Sequence, residues 1–427
     1  MRQAPPAATS RGSEAEDGAV AVPRKRGRRL VWCLRCRLSL LLFLYYAIQG
    51  AFVPLFSLRL QELGFTPLEM GWACAPQALA TLIAPLVAGQ IADRWFPTER
   101  CLAICALLSG LFLLVLADLT SPSAIFLAGL ALWMVLGPAS TLTAALSFAH
   151  LPYQGRHFGQ IRLWGTIGWV VSGWLVGYWL SQPAWLGSWF WVTPIPRLAD
   201  MFRFASLLAF GLSAYALTLP HTPPQRRSSS KLAPLAALRL LCDRTFAVFW
   251  FCALGVCVTL PFTTQVTPLL LQHVGIPRPW LSPTLTLGQS MEIVSLALLP
   301  MFLLRLGVRA TMLLGLTAWA LMLGMLTIGK PVWLVVASLS LNGLWISCFI
   351  VAGQVFANSK ACEDLRASVQ GLLNVTNGLG LLAGNLLVGW VRRQVQEQFM
   401  PTFGVGAVIA TALIVAFFIG FRTTRPA

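Results

Sequence analysis

The sequence predicts an all-α polytopic membrane protein, with 12 transmembrane helices in two pseudo-symmetric six-helix bundles. Three observations carry this expectation. Of 427 residues, 57% are apolar or aromatic and only 11% are charged, less than half the roughly 25% of a soluble domain, and the mean hydropathy is +0.73. The chain divides at charges, prolines and turn clusters into twelve apolar segments, each near the ~20 residues a helix needs to cross ~30 Å of hydrocarbon. One long polar connection interrupts the series, and it falls after the sixth segment.

In chain order the segments fall near 38–59, 68–91, 99–118, 122–149, 158–181 and 198–219, then 244–271, 281–304, 308–328, 331–357, 366–391 and 401–421. Residues 1–37 read as a basic, disordered cytoplasmic tail that ends in Arg24, Lys25, Arg26, Arg28 and Arg29. The apolar run after it is too long for the core of a signal peptide, and many more follow, so it reads as a retained first helix. Residues 38–219 form the first six-helix bundle, 220–243 a linker with Arg226, Arg227, Lys231 and Arg239, 244–421 the second bundle and 422–427 a short tail. The basic tails and linker place both termini on the cytoplasmic side of an inner, or plasma, membrane.

The net charge of +17 is not a nucleic-acid footprint. Most cations punctuate segments of spanning length instead of gathering on one solvated face. Ten cysteines do not make a disulfide frame, because most lie inside apolar runs where a small hydrophobic residue fits. Cys33 and Cys36 form an isolated pair without a second pair or a nearby histidine, so no zinc site is expected. No phosphate loop and no paired catalytic carboxylates occur, and the four histidines sit at helix ends or in loops. Neither an enzyme, a metal nor a cofactor is expected, and a sensor would need a signalling domain larger than these tails.

Almost all of the fourteen acidic residues fall in tails, loops or helix ends, and Glu292 is the exception. It lies about eleven residues from either end of segment eight, or ~16 Å at 1.5 Å per residue, which is the bilayer midplane. A carboxyl there must face a wet cavity, pair with a cation or carry a proton. A group that loads and unloads a proton is what a proton-coupled carrier needs; a hydrogen-bonded structural acid is the alternative. Gln289, three residues earlier, shares its helix face and offers either an amide to a polar ligand or a helix–helix hydrogen bond. In segment five, Arg162, Thr166 and Trp169 form a polar and aromatic stripe at i, i+4 and i+7, suited to a flat ring bearing hydroxyls. Arg162 also lies close enough to the segment end to snorkel to the interface. Gln49 and Gln265 lie in the first helix of each half, where cavity-lining helices are expected, and Asn342 and other intramembrane amides read more readily as helix–helix contacts. Gly168, Gly173, Gly177, Gly380 and Gly384 read as close-packing positions.

Each half carries a basic turn between its second and third segments, Gly89-Gln-Ile-Ala-Asp93-Arg94 and Leu304-Arg305-Leu-Gly307-Val-Arg309, a weak internal repeat. The Gly-x-x-x-Asp-Arg turn resembles the hallmark of the major facilitator superfamily, and the likeness covers residues 38–421. It implies that Asp93 and Arg94 act as a gate latch that exchanges partners as helices rock.

Within that superfamily the chain resembles the bacterial nucleoside:proton symporters. The matching stretches are Ile161-Arg-Leu-Trp-Gly-Thr-Ile-Gly168, Leu217-Thr-Leu-Pro-His221-Thr-Pro223, Gln289-Ser-Met-Glu292 and Arg366-Ala-Ser-Val-Gln-Gly371 continuing to Thr376-Asn-Gly378. The resemblance implies substrate contacts from Arg162, Thr166 and Gln289 and proton handling by Glu292. It also places Ser347 at or near a family aspartate that reads the nucleoside, and Thr259-Leu-Pro261-Phe262 where the family has ligand-reading amides. A neighbouring group, the phenylpropionate and oligosaccharide permease-like carriers, shares the Arg-Leu-Trp-Gly motif and the segment-eight glutamate. The expectation is thus a monomeric carrier in the lipid bilayer that takes protons and a small nucleoside-like molecule, with aromatic acids or sugars as the alternative cargo.

Overall fold

The computed structural model describes residues 24–94, 97–150, 154–181, 197–222, 238–360 and 366–421. Those residues fold into helices in the expected order: α1 Leu34–Glu62, α2 Pro67–Arg94, α3 Thr98–Asp118, α4 Pro122–His150, α5 Gln154–Ser181, α6 Asp200–Ala216, α7 Arg244–His273, α8 Arg278–Arg305, α9 Gly307–Ile328, α10 Val332–Lys360, α11 Arg366–Gln394 and α12 Phe399–Gly420. Among the described residues, nine helices are long and apolar enough to cross a membrane. Helices α2, α5 and α6 take the places of the remaining segments. The helical run that becomes α1 begins at Arg24, so the basic stretch expected as disordered tail is helical from that residue.

Packing repeats with a period of six helices. In the first half α1 packs on α5 and α6, α2 on α4, and α3 on α6; in the second, α7 packs on α11 and α12, α8 on α10, and α9 on α12. Helices in lipid gain little from hydrophobic burial against one another, so close approach at small residues matters more. Gly168 takes the α1 backbone at Phe43, and Gly380 and Gly384 take the α7 backbone at Leu254 and Val258, as their sequence positions led us to expect. The repeat reaches the turns. Gly64 and Gly275 adopt left-handed φ of 78° and 93° after α1 and α7, and in each the following residue donates back to the helix, Phe65 to Leu60 O and Ile276 to Leu271 O. Glycine carries no Cβ penalty in this helix-ending conformation.

The halves meet through α2 against α11 and α5 against α8. Gly71 faces Asn385 and Gly389 faces Pro67, while Gly173 faces Ser282 and Thr286 and Gly177 faces Pro279 and Pro283. Arg278 at the start of α8 also reaches Glu62 at the end of α1, at 3.3 Å. All these contacts lie toward the end of the bundle opposite the linker. Toward the linker side, by contrast, the described ion pairs stay within a half: Glu99 of α3 with His221 at 2.7 Å, and Asp243 before α7 with Lys360 at 3.0 Å. The bundle is therefore sealed between its halves at the far end.

Asp243 caps α7, accepting from the Thr245 N–H at 2.8 Å, and the Lys360 ammonium beside it holds its carboxyl below the ordinary carboxylate range. A lowered folded-state value means the contribution is complete above the unfolded value near 3.9 and disappears as pH falls through the folded value. Asp243→Ala is expected to cost about 1 kcal/mol at neutral pH, mostly from the cap because the ion pair is half-exposed. Unfolding in detergent should show this difference constant from pH 6 to 8 and shrinking below about pH 4; a pH-independent difference would contradict the assignment.

Candidate functional site

Breaks in the helices build a cavity between the halves. Pro54 interrupts α1 with a single 3-10 turn at Val53–Leu55, and Pro261 inside α7 precedes a break at Gln265. Proline removes a backbone donor and clashes with the preceding turn, so both first helices bend at corresponding depths. A cavity of about 110 Å³ lies beside these breaks, walled by Val53 and Pro54 of α1, Trp169 of α5, Thr263, Thr264, Thr267 and Pro268 of α7, Leu285, Gly288 and Gln289 of α8, Met322 of α9, and Leu339 and Asn342 of α10. Small-molecule sites usually begin at ~300 Å³, so a ring-sized ligand needs wall side chains to turn aside. A larger hollow of about 420 Å³ at the far end, lined by Glu62, His273, Arg278, Arg392 and Glu397 among others, holds none of the predicted site residues. The smaller cavity carries two of the predicted residues on its wall, and it is the candidate site.

Trp169 and Gln289 stand on this wall, from opposite halves. Helix α8 runs from the far end toward the linker side and α5 runs the other way, so Glu292 and Arg162 both lie on the linker side of the cavity. Glu292 is half-buried and Arg162 is exposed, and no direct ion pair joins them. Thr166 lies between Arg162 and Trp169 on α5 and is half-buried. Glu292 has α10 close against it, because Gly343 brings that backbone onto the Met291–Glu292 peptide.

Several expected residues are placed elsewhere. Gln265 is buried and donates its amide to Asn385 Oδ1, while Asn385 Nδ2 donates to Cys74 O at 3.2 Å, a bridge joining α7, α11 and α2. Its side chain is therefore an interhelical tie and is not on the cavity wall. Gln49 is half-buried beside Tyr45 of α1, also off the wall. Ser347 is fully buried, its hydroxyl without a partner among the described residues, inside a π-type turn over Ile346–Val351. That turn changes the angular register of α10, so residues beyond Trp345 no longer follow the 3.6-residue spacing from Asn342. Asp93 and Arg94 end α2, and their side chains lie outside the described residues.

The sequence reading missed Asn342 as a wall residue and the three threonines Thr263, Thr264 and Thr267. The threonine-rich run from Thr259 to Thr267 is a visible signal, since hydroxyls can return to their own helix and still face a cavity. Thr263 does return, donating to Leu260 O at 2.8 Å, whereas the buried Thr267 hydroxyl has no partner among the described residues.

The sequence profile of the family described as Nucleoside H+ symporter matches residues 33–425. The chain belongs to that family. It is a family of transporters and not of enzymes, so the absence of a catalytic cluster in the sequence has its explanation. Among curated relatives, the chain is 31% identical to YegT of Escherichia coli strain K12, a transporter assigned by name to nucleosides, over 90% of this chain and 93% of that protein. It is 29% identical to the xanthosine permease of the same strain, over 90% and 95% of the two chains. Among solved structures, a mutant of the nucleoside transporter NupG superposes with a TM-score of 0.80 at 24% identity, covering 91% of this chain and all of that one. A D-xylose–proton symporter superposes with a TM-score of 0.72 at 13% identity, covering 93% and 99%. These likenesses establish the symporter fold, a multi-pass helical bundle of two halves.

Proposed function

We propose that this chain imports nucleosides with protons across the inner membrane, working as a monomer by alternating access, with both termini and the 220–243 linker in the cytoplasm. Family membership supports the transport class, and one structural observation supports the coupling: an acid and a cation from opposite halves, Glu292 and Arg162, both lie on the linker side of a cavity walled by both halves. In this orientation the far-end seal makes the described arrangement inward-facing. Exposed apolar side chains such as Leu127, Leu207, Val408 and Phe418 fit the surrounding lipid.

The cycle follows from the cost of a buried charge. With the cavity open outward, Glu292 takes a proton and a nucleoside enters between Trp169 and Gln289. Neutralising the carboxyl lowers the cost of enclosing it, and the halves rock until α5 meets α8 and α2 meets α11 at the far end. Release of substrate to the inside follows loss of the proton, after which Arg162 regains its counter-charge. Asp93 and Arg94 serve as the latch on the linker side.

The test is uptake of labelled uridine into liposomes with and without an inward proton gradient, beside vesicles lacking the protein. Gradient-dependent uptake several-fold above the control is expected. Folded protein that moves no uridine overturns the cargo assignment. The exposed Arg162 guanidinium favours a second cargo, an aromatic carboxylate, and a phenylpropionate arm of the same assay separates the two.

A further inference from the structure

We propose that Asn342 is a specificity-determining residue with a locked polarity, and that it selects nucleosides whose base presents an exocyclic oxygen over those with an exocyclic amino group; this rests on the nucleoside reading above. The lock begins at Trp345. Its indole N–H lies 2.8 Å from the Asn342 amide oxygen, and an indole nitrogen only donates, so the atom it meets must be the oxygen. The amide therefore cannot turn over, and its –NH2 end is the one left free. Trp345 is buried and its ring centroid lies 4.4 Å from that of Trp319. Trp319 is fully enclosed in turn, and its own N–H donates to Thr259 Oγ1 at 2.8 Å, while Thr259 donates to Val256 O at 2.8 Å. Two tryptophans and a threonine thus hold one amide in one orientation. They are positioning residues, and this gives Thr259 a role where the family resemblance leads one to expect a ligand-reading amide.

The free end of Asn342 sits over Gly288, where a Cβ would come within 2.8 Å of Nδ2, so the glycine makes room for it. Asn342 and Gln289 share the cavity wall from neighbouring helices, and Gln289 Oε1 is buried there without a partner among the described residues. The wall accordingly offers a fixed donor beside an unfilled acceptor. Besides three threonines, the same wall carries Trp169, Leu285, Met322 and Leu339, a surface on which a flat base can stack. An exocyclic group projects furthest from the ring, so it is the part that reaches a donor recessed over Gly288. An oxygen there accepts from Asn342 while the adjoining ring N–H can donate to Gln289. An amino group there sets donor against donor, with neither satisfied.

The experiment is competition against uridine uptake by two pairs that differ at this edge, uridine with cytidine and inosine with adenosine. The oxo member of each pair is expected to compete about ten-fold better or more, since an unpaired polar group at a binding wall costs at least that much. In Trp345→Phe, which removes the lock and keeps an aromatic ring on Trp319, the ratio should fall to within about two-fold. In Asn342→Asp, which replaces the donor by an acceptor, it should reverse. Both variants are checked for a monodisperse, folded peak, and Trp345→Phe carries the test if the aspartate variant misfolds. Equal competition by both members in the wild-type protein, or an unchanged ratio in folded Trp345→Phe, overturns the inference and leaves nucleoside transport standing. If no nucleoside competes, the nucleoside reading itself is overturned.

Discussion

Replacing Glu292 by glutamine is expected to abolish uphill accumulation while leaving counterflow exchange running. Glutamine keeps the shape of the protonated acid and cannot release a proton, so it holds the site in its neutral, loaded form. In that form the cavity closes readily, because no charge has to be enclosed. Exchange of internal for external nucleoside uses only the loaded limb of the cycle and continues. Accumulation needs the proton to leave on the inside. One inward proton gains about 2.3 kcal/mol per 100 mV and about 1.36 kcal/mol per pH unit, enough together for a ratio of the order of hundreds. In Glu292→Gln that ratio should fall to about one. Liposomes preloaded with unlabelled uridine measure counterflow, and a proton gradient across empty liposomes measures accumulation. Unchanged accumulation would place the coupling group elsewhere. Loss of both activities in folded protein would make Glu292 a substrate contact.

The contrast between Glu292 and Ser347 shows what a sequence makes legible in a membrane helix. A lone acid in the middle of an apolar segment has so few acceptable surroundings that its position alone limits Glu292 to a wet cavity, a cation partner or a bound proton. The twelve segments were legible for the same reason, since an apolar run between charges has few alternatives to a spanning helix. Neutral polar residues carry no such constraint. The sequence points Gln265 to the cavity and Asn342 to a helix–helix contact, yet Gln265 gives its amide to Asn385 and Asn342 faces the cavity. What separates them is whether a partner stands opposite, and that depends on helix rotation. Ser347 enters through likeness to the family motif alone, and it lies buried inside the π-type turn at Ile346–Val351, a break in helical register that no residue type announces. The Gly64 and Gly275 turns, by contrast, depend only on local backbone, and both take the same left-handed geometry.

Gly177→Leu is expected to cut both uptake and counterflow at least ten-fold, a pattern that separates it from Glu292→Gln. Gly177 of α5 lies against Pro279 O and the Pro283 ring of α8, and Gly173 one turn earlier lies against Ser282 and Thr286, each at about the distance where even a Cβ collides. Trp174 reinforces the same seam, donating to Thr286 Oγ1 at 3.2 Å and meeting the Trp280 ring edge-on at 6.1 Å. Leucine adds four carbons at a contact that has room for none, and overpacking of that kind costs about 1–3 kcal/mol. The cost falls on the sealed arrangement alone, because opening the far end separates α5 from α8. A bias of that size shifts the balance between the two arrangements by about five- to 150-fold. Both uptake and exchange must pass through the sealed arrangement, so both slow together. Gly211→Leu on α6 is the control, since a Cβ there meets nothing within 4 Å and the residue touches neither half's partner. Uridine should still raise the unfolding temperature of Gly177→Leu in detergent, because the outward-open cavity remains available. Normal counterflow in that variant would mean that the α5–α8 seam is not the seal, and that α2 against α11 closes the far end unaided.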